Sequence, residues 1–526
     1  MRPKSGATGI ILVHDRDNFN GENRHDRGRC PGQIRSAPRG APPVLKFLLL
    51  LPLSGAFLIA LLPARRPLRI RAVAAVVAAL NLGLSLALAA SFDAGVADQQ
   101  FFETRPWNPR VGSSFALGVD GISLPMVLLS TLLCLIAVLA SGGIRVGARL
   151  YFSLLLVLEA SMLGVFMARD WSLFYVFWEF TLIPLFFLID RMGGSNRHRA
   201  ALNFVLYTLG GSVFMLVALL LLYDAAPGHS FAMADMIAGG HSLPLATQLL
   251  VFAGLFVGFG VKMPVFPMHG WLPLAHVEAP SPISILLSGV LLKMGAYGLI
   301  RAAETLPQAV LTLQSALAAL ALVSLVYGSV LAWRQTDLKR MVAYSSVAHM
   351  GVVLLGIATL NFTGLSGAVF QMTAHGLAAA LMFLIVGILY QRTHSRELGE
   401  IGSLRESAPR LAFCLALALL SSAGLPGSAG FIAELHVLVG GFARWQGWIV
   451  ILSLGVLVSA AYALRVVGRL CIGPRQHRAA VADLDLSERF AAGLLLAGIV
   501  VAGLWPAPLL GLSAASVRVL SQLFTS

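Results

Sequence analysis

Long apolar runs alternate with short polar segments along almost the whole chain from residue 45 onward. A helix needs about 20 mostly apolar residues to cross the hydrocarbon core of a membrane, and about 14 runs reach that length. The pattern therefore predicts an all-α polytopic membrane protein with about 14 transmembrane helices. The predicted spans, in chain order, are 45–63, 70–91, 121–141, 149–168, 171–190, 200–223, 247–268, 281–302, 308–332, 341–361, 364–390, 409–439, 446–471 and 488–510.

The composition supports a membrane protein and narrows its chemistry. Of the 526 residues, 57% are hydrophobic and 12% are charged, whereas soluble domains carry about 25% charged residues. The four cysteines are scattered without a CxxC or Cys/His cluster, and no P-loop or strand-linked GxGxxG is present. The sequence therefore predicts no metal site, no nucleotide site and no cofactor bound by this chain.

Arginine and lysine residues are distributed unevenly between the two sides of the predicted bundle. In the loops and C-terminal tail, 21 lie in connections from odd-numbered to even-numbered helices and 6 lie on the opposite side. Since cytoplasmic loops carry an excess of basic residues, we expect a multi-pass protein of the cell inner (plasma) membrane with both termini non-cytoplasmic. This distribution explains most of the net charge of +14 and argues against a nucleic-acid partner.

Residues 1–44 form a polar stretch rich in Gly, Pro and Arg, without the apolar core and cleavage site of a signal peptide. One interpretation is a disordered extension. The other, which we prefer, is a start codon assigned too early, with the native start near Val44. The eight basic residues of this stretch otherwise fall on the non-cytoplasmic side.

Predicted helices 7 and 12 are interrupted in the same manner. Helix 7 has Pro264 and Pro267 after Lys262, and helix 12 contains GLPGSAG before Glu434. Paired interruptions indicate inverted repeats with a site at each break, where freed backbone groups require protein or water. Since five helices separate the breaks, helices 4–8 and 9–13 are predicted to form two inverted five-helix repeats. The chain then divides into an extension (1–44), helices 1–3 (45–141), the first repeat (149–302), the second repeat (308–471), and a C-terminal helix and tail (488–526).

Six titratable residues lie within the predicted membrane helices. They are Glu179, Lys262, Lys293, His349, His375 and Glu434. A charged side chain at the membrane centre costs about 2.5–3.5 kcal/mol on insertion scales, so such residues mark functional sites. Histidine, and buried lysine or glutamate, exchange protons near neutral pH. The set predicts a proton relay, with Glu179 and Lys262 as a candidate pair that opens and closes.

Structural interpretations of the same residues remain open. A membrane histidine often only hydrogen-bonds a neighbouring helix, and the two glutamates could bind serine hydroxyls or backbone groups. Lys262 lies near its helix end and could snorkel to the interface. Accessory candidates are Glu159, in the fourth helix, and His269 and His276, in a predicted cytoplasmic loop that could supply protons. Asp120 is expected to cap a helix.

Seven segments that contain most of these residues carry a family resemblance. They are LGVDGISLPMVLLSTLL (117–133), FYVFWEFTLIPLFFLI (174–189), VKMPVFPMHGWLPLAHVEAP (261–280), LLSGVLLKMGAYGLIR (286–301), MVAYSSVAHMG (341–351), QMTAHGLAAALMF (371–383) and GLPGSAGFIAEL (424–435). From about residue 45 to 510 the chain resembles the subunit M (chain 4) family of the bacterial proton-translocating NADH–quinone oxidoreductase, respiratory complex I. The LGVDGIS segment favours subunit M over its L and N relatives.

The resemblance implies a fourteen-helix antiporter-like fold and a proton channel without a redox centre, driven by electron transfer in other subunits. It implies L-type and N-type membrane subunits as partners, with flavin and iron–sulfur clusters in partner subunits. By motif, Glu179 and Lys262 match the essential pair and Lys293 matches the central lysine. His349 and His375 match the relay histidines, and Glu434 matches the exit-side acid.

Two features depart from the family pattern: Leu274 stands where the family usually has Asp after WLP, and the 1–44 stretch has no counterpart. The first puts a proton-uptake role at that position in doubt. The buried set alone also fits a subunit of a cation/proton antiporter or of a membrane-bound hydrogenase. A scaffold without conduction is disfavoured because it has little reason to hold several costly buried charges.

Overall fold

The computed structural model describes residues 44–474 and 481–525. Residues 1–43, and with them both interpretations of the N-terminal stretch, lie outside the described residues. The helices are α1 Val44–Leu61, α2 Pro67–Ala90, α3 Leu124–Ala140, α4 Ala148–Met167, α5 Trp171–Phe180, α6 Leu182–Met192, α7 Arg197–Ala225, α8 Met233–Ser242, α9 Leu245–Lys262, α10 Trp271–Glu278, α11 Ser281–Leu286, α12 Leu292–Thr305, α13 Pro307–Arg334, α14 Leu338–Ala358, α15 Phe362–Thr393, α16 Leu404–Ser407, α17 Pro409–Ser422, α18 Ala429–Trp445, α19 Val450–Val467, α20 Leu486–Leu504 and α21 Ala507–Gln522. The two strands are β1 Gln100–Asn108 and β2 Ser113–Val119.

The helices confirm the prediction of a multi-pass membrane protein. Within the described residues, 12 helical segments are long and apolar enough to cross a membrane, counting Trp171–Met192 and Ser281–Thr305 as one segment each. Two shorter apolar helices, α3 and α17, accompany them. Most side chains of the segment Ser281–Thr305 and of helix α15 are buried. They form the centre of the bundle, and α15 packs against α11, α14, α17, α18 and α20.

Both predicted helix interruptions are present, and each lies at the proline and glycine residues that predicted it. Helix α9 ends at Lys262, ahead of Pro264 and Pro267, and the chain becomes helical again at Trp271. Proline removes a backbone donor and clashes with the preceding helical turn, which ends the helix. Between α17 and α18, Gly424 and Gly427 adopt positive φ angles of 75° and 89°, which favour glycine.

Three predicted segments differ in detail. The span 171–190 is two helices that meet at Thr181, because Pro184 cannot donate to the carbonyl of Phe180. The predicted cytoplasmic loop after Pro267 contains the helix α10, which buries His276. The predicted C-terminal tail holds the helix α21.

A β-hairpin precedes α3, and the prediction of an all-helical chain missed it. Strands β1 and β2 pair antiparallel, with Gln100 opposite Val119 and Arg105 opposite Phe115. The β1 residues lack the regular alternation of apolar and polar positions that identifies a half-buried strand.

A buried ionic cluster joins the end of this hairpin to two helices. The carboxylate of Asp120 contacts the guanidinium groups of Arg169, at 3.2 Å, and Arg301. Burial opposes ionisation of Asp120, but the two arginines outweigh it and hold the pKa of this carboxyl well below its usual range. Its other oxygen accepts the backbone N–H groups of Ile122 and Ser123, as expected for a helix cap.

Candidate functional site

Lys262 lies buried at the last position of α9, directly before the first interruption. Its Nζ donates a hydrogen bond to Thr181 Oγ1 at 3.0 Å, where α5 meets α6. The ammonium also lies 4.9 Å from the ring centre of Trp178, a cation–π distance. The break between α5 and α6 therefore supplies the polar partner of the lysine.

Glu179 lies close to Lys262 but does not form an ion pair with it within 4.0 Å. Its side chain is half-buried, and Oε1 has no hydrogen-bond partner among the described residues. It borders a groove of about 450 Å³ between α5, α6 and α7, which opens on the side of the bundle. Glu179 is therefore only partly covered by this chain, and Val176, Phe180 and Ile183 beside it are exposed.

Lys293 is fully buried at the centre of the bundle, one residue into α12. A π-helical turn, Leu287–Leu291, connects α11 to α12 and changes the register of the backbone hydrogen bonds there. Lys293 Nζ donates to the carbonyl oxygen of Ser288 at 2.6 Å and lies 2.6 Å from His375 Nδ1. Because an ammonium has no acceptor capacity, it donates in both bonds while it is charged.

His375, His349 and Glu434 continue from Lys293 across helices α15, α14 and α18. The two histidine rings lie 5.2 Å apart between their centres. His349 Nδ1 is 3.7 Å from Glu434 Oε1, and its Nε2 is 2.7 Å from Ser422 Oγ at the end of α17. The second interruption thus places Ser422 and Glu434 on either side of one imidazole.

Several buried polar atoms near these residues have no hydrogen-bond partner in the part of the chain that the structure describes. They are Trp178 Nε1, Glu179 Oε1, Gln371 Oε1, Thr373 Oγ1, His375 Nε2 and Ser421 Oγ. Buried polar atoms are normally satisfied by protein or by water, so these are the atoms to which internal water can bind. Four of these atoms lie on helix α15 and at the end of helix α17, next to the second interruption.

The structure treats the three accessory candidates differently. His276 stacks on Phe383 at 4.6 Å, and neither ring nitrogen has a protein partner among the described residues. The His269 ring packs against the rings of Phe266 and Tyr327.

Glu159 is separate from this group. Its Oε1 accepts a hydrogen bond from Asn81 Nδ2 at 2.8 Å, between α4 and α2.

Sequence reasoning missed the hydroxyl, carbonyl and amide groups that hydrogen-bond the two lysines and His349. They are Thr181, Ser288, Gln371 and Ser422. The only sequence signal was position, since Thr181 is two residues from Glu179 and Ser422 directly precedes a glycine-rich break.

Comparisons with known proteins show the family to which the chain is similar. Residues 168–459 match the family described as NADH:quinone oxidoreductase/Mrp antiporter, TM. NAD(P)H-quinone oxidoreductase chain 4 2 of Thermosynechococcus vestitus (strain NIES-2133 / IAM M-273 / BP-1) is 40% identical over 476 residues, which cover 88% of this chain and 89% of that protein. NAD(P)H-quinone oxidoreductase chain 4 1 of Synechococcus sp. (strain JA-3-3Ab) is 41% identical over 477 residues, which cover 88% and 90%.

Solved structures show the same fold. A chain of respiratory complex I from Thermus thermophilus with bound NADH has a TM-score of 0.83 and 32% identity, covering 92% of this chain and all of that one. A chain of the Mrp complex from Dietzia sp. DQ12-45-1b has a TM-score of 0.79 and covers 90% of this chain and 52% of that one. At 23% identity, the second likeness concerns the fold alone.

Proposed function

The chain belongs to the chain 4 family of NAD(P)H-quinone oxidoreductase membrane subunits, and from this premise we propose that it translocates protons as part of an NADH–quinone oxidoreductase. One observation carries the proposal beyond family membership. Lys293, His375, His349 and Glu434 follow one another through the core, separated by 2.6 Å, a ring distance of 5.2 Å and 3.7 Å. This is a sequence of proton-exchanging groups in a membrane interior.

In our proposal the Lys293–His375 hydrogen bond is the central transfer step. The ammonium proton passes along this bond to His375 Nδ1, then by way of His349 to Glu434. Positioned groups exchange protons when they are joined by a direct hydrogen bond or by a single bridging water. The carbonyl of Ser288 holds Nζ in place while its proton leaves.

Lys262 and Glu179 control proton transfer at the first interruption. In the observed arrangement Lys262 is held by Thr181, and Glu179 stands apart in the lateral groove. Approach of Glu179 would favour the charged lysine, and withdrawal would favour release of its proton. The pair can therefore gate transfer from Lys262 towards Lys293, with internal water as the link.

The arrangement in the membrane follows from the same premise. We assign the arginine-rich side to the cytoplasm of a cell whose plasma membrane holds the complex, with both termini on the other side. His276 and His269 lie towards the uptake end as accessory groups. The chain binds no cofactor of its own, and flavin and iron–sulfur clusters belong to partner subunits.

The alternative parent complexes are a cation/proton antiporter and a membrane-bound hydrogenase. They are not favoured, because the chain 4 relatives are about 40% identical over almost the whole chain, whereas the Mrp likeness is 23%. Purification of the tagged chain in mild detergent separates these cases. Flavin, iron–sulfur, L-type and N-type subunits are expected to co-purify. Recovery of antiporter or hydrogenase subunits would overturn the parent complex.

Replacement of Lys262 tests conduction. Complexes with Lys262→Ala are expected to assemble normally and to lose NADH-driven proton pumping by roughly tenfold or more, as for loss of a positioned acid–base group. Lys46→Ala, which removes a lysine paired with Glu103 away from the relay, is the control and should pump normally. Acidification of inverted membrane vesicles, measured per assembled complex, gives the result. Normal pumping by assembled Lys262→Ala complexes would contradict the proposal.

A further inference from the structure

The side chain of Gln371 on α15 lies beside the step between the two relay histidines. Its amide nitrogen is 3.3 Å from His349 Nδ1, within hydrogen-bond distance, and the residue is 1% exposed. Gln371 precedes His375 by one helical turn, so both side chains lie on the same face of α15 and meet His349 on α14. The two histidine rings, 5.2 Å apart between their centres, make no direct hydrogen bond with each other. A neutral amide therefore accompanies the longest step of the proposed relay.

The protonation of His375 determines which way this amide points. The Lys293 ammonium donates to His375 Nδ1, so the proton of the neutral ring lies on Nε2. That N–H is buried and has no partner among the described residues, and Gln371 Oε1 is a buried acceptor in the same situation. The unpartnered donor and the unpartnered acceptor complement each other when the carbonyl is turned towards His375, with or without one water between them. The amide N–H group is then turned towards His349.

The bond from Gln371 selects the tautomer of His349. An amide N–H can only donate, so His349 Nδ1 accepts and the ring proton lies on Nε2, 2.7 Å from Ser422 Oγ. Because Nδ1 has one lone pair, Gln371 occupies it in this arrangement, and Glu434 Oε1 stands 3.7 Å away. A proton that reaches Nδ1 displaces the amide N–H. Rotation of the amide about its last bond then brings Oε1 to accept from the new Nδ1–H.

We propose that Gln371 is a positioning residue of the relay. Its N–H keeps His349 Nδ1 unprotonated between transfers, and its carbonyl oxygen supports the ring once Nδ1 has taken a proton. The amide itself gains and loses no proton. Without it, Ser422 can donate to Nε2, and the ring proton then occupies Nδ1, the atom that must receive. The inference rests on the proposed function and adds a neutral residue to the charged set.

Gln248 on α9 provides a matched control. It is also a fully buried glutamine, and its side chain bonds two backbone groups, the carbonyl of Leu243 and the N–H of Ala309. Methionine is unbranched like glutamine and fills a similar space without an amide. Gln248→Met therefore removes a buried amide away from the relay, and Gln371→Met removes one beside it.

The test measures pumping per assembled complex across pH in inverted vesicles. Gln371→Met is expected to pump roughly threefold to tenfold more slowly, in line with the loss of one hydrogen bond. Its optimum should move to lower pH, because the charged histidines lose an acceptor. Gln371→Glu has nearly the same shape and should move the optimum to higher pH, because a carboxylate favours the charged histidines. The titratable groups that face the two histidines are Lys293 from α12, His276 from α10 and Glu434 from α18, and every variant keeps them. Gln248→Met should match the unmodified complex in rate and pH profile.

The opposite signs of the two shifts separate positioning from packing, because a packing defect slows pumping without moving the pH profile in a direction set by charge. Unshifted profiles in both Gln371 variants, shifts of the same sign, or equal losses in Gln371→Met and Gln248→Met would each overturn the inference. If Gln371→Met fails to assemble, Gln371→Glu decides. An optimum at higher pH then supports the inference, and an unchanged optimum overturns it.

His349→Gln separates this inference from the proposed function. If His349→Gln pumps normally, the relay itself is wrong. If His349→Gln loses pumping while both Gln371 variants match the unmodified complex, only the role of Gln371 fails.

Discussion

At the scale of single residues, the charged members of the site could be identified from sequence and their partners could not. Lys262 and Lys293 stand out because a cation inside an apolar helix is costly and therefore rare. Thr181 and Ser422 do not stand out, because hydroxyl residues are common in membrane helices and usually bond to their own backbone. Their roles depend on helix packing, which brings Thr181 to Lys262 and Ser422 to His349.

The contribution of a hydroxyl partner to the relay can be measured at Thr181. Thr181→Val keeps the shape of the side chain and removes the acceptor of Lys262 Nζ, leaving a buried ammonium with one partner fewer. We expect pumping per assembled complex to fall by roughly threefold to tenfold, a smaller loss than in Lys262→Ala. Thr208→Val is the control, because Thr208 donates only within its own helix, to Phe204 and Val205. Equal effects of the two valine variants would assign the loss to packing.

At the scale of elements, the sequence predicted the broken helices because proline and glycine act locally. The position of the π-helical turn before Lys293 could not be predicted, because no proline or charge marks Leu287–Leu291 and the turn depends on how the neighbouring helices pack. The predicted repeats remain a prediction. The two breaks nevertheless resemble each other, because at each of them a helix ends close to a titratable side chain. That side chain is Lys262 at the first break and Glu434 at the second.

The second break can be tested with two glycines. Gly424 and Gly427 both have positive φ angles, so alanine costs about 1–2 kcal/mol at either site. A Cβ at Gly424 would lie 2.7 Å from Glu434 Oε2, whereas one at Gly427 would meet nothing closer than 3.6 Å. Gly424→Ala is therefore expected to displace Glu434 and reduce pumping strongly. Gly427→Ala should lower thermal stability to a similar degree and keep most of the pumping. Equal pumping by the two assembled variants would contradict a role for Glu434 at this break.

At the scale of the whole molecule, hydropathy predicted the membrane class and most helix positions because burial in lipid imposes one requirement on every span. Hydropathy could not predict the hairpin or the cluster of Asp120, Arg169 and Arg301. These three residues are up to 181 positions apart in sequence, and only the fold brings them together. The uneven distribution of arginine is also a property of the whole chain. It predicts which side of the protein faces the cytoplasm, and no single residue predicts this.

Sidedness is tested by cysteine labelling of intact cells. Val146, on the arginine-rich side between α3 and α4, is 89% exposed, and Val111, at the tip of the hairpin, is 40% exposed. The described native cysteines are buried, and they are replaced by alanine together with Cys30 before labelling. A membrane-impermeant maleimide should then label Val111→Cys in intact cells, and Val146→Cys only after the membrane is opened. Since helices α1 and α2 precede the hairpin, this outcome places the N-terminus of α1 on the outer side with the hairpin. The reverse pattern would invert the orientation and assign proton uptake to the opposite end of the relay.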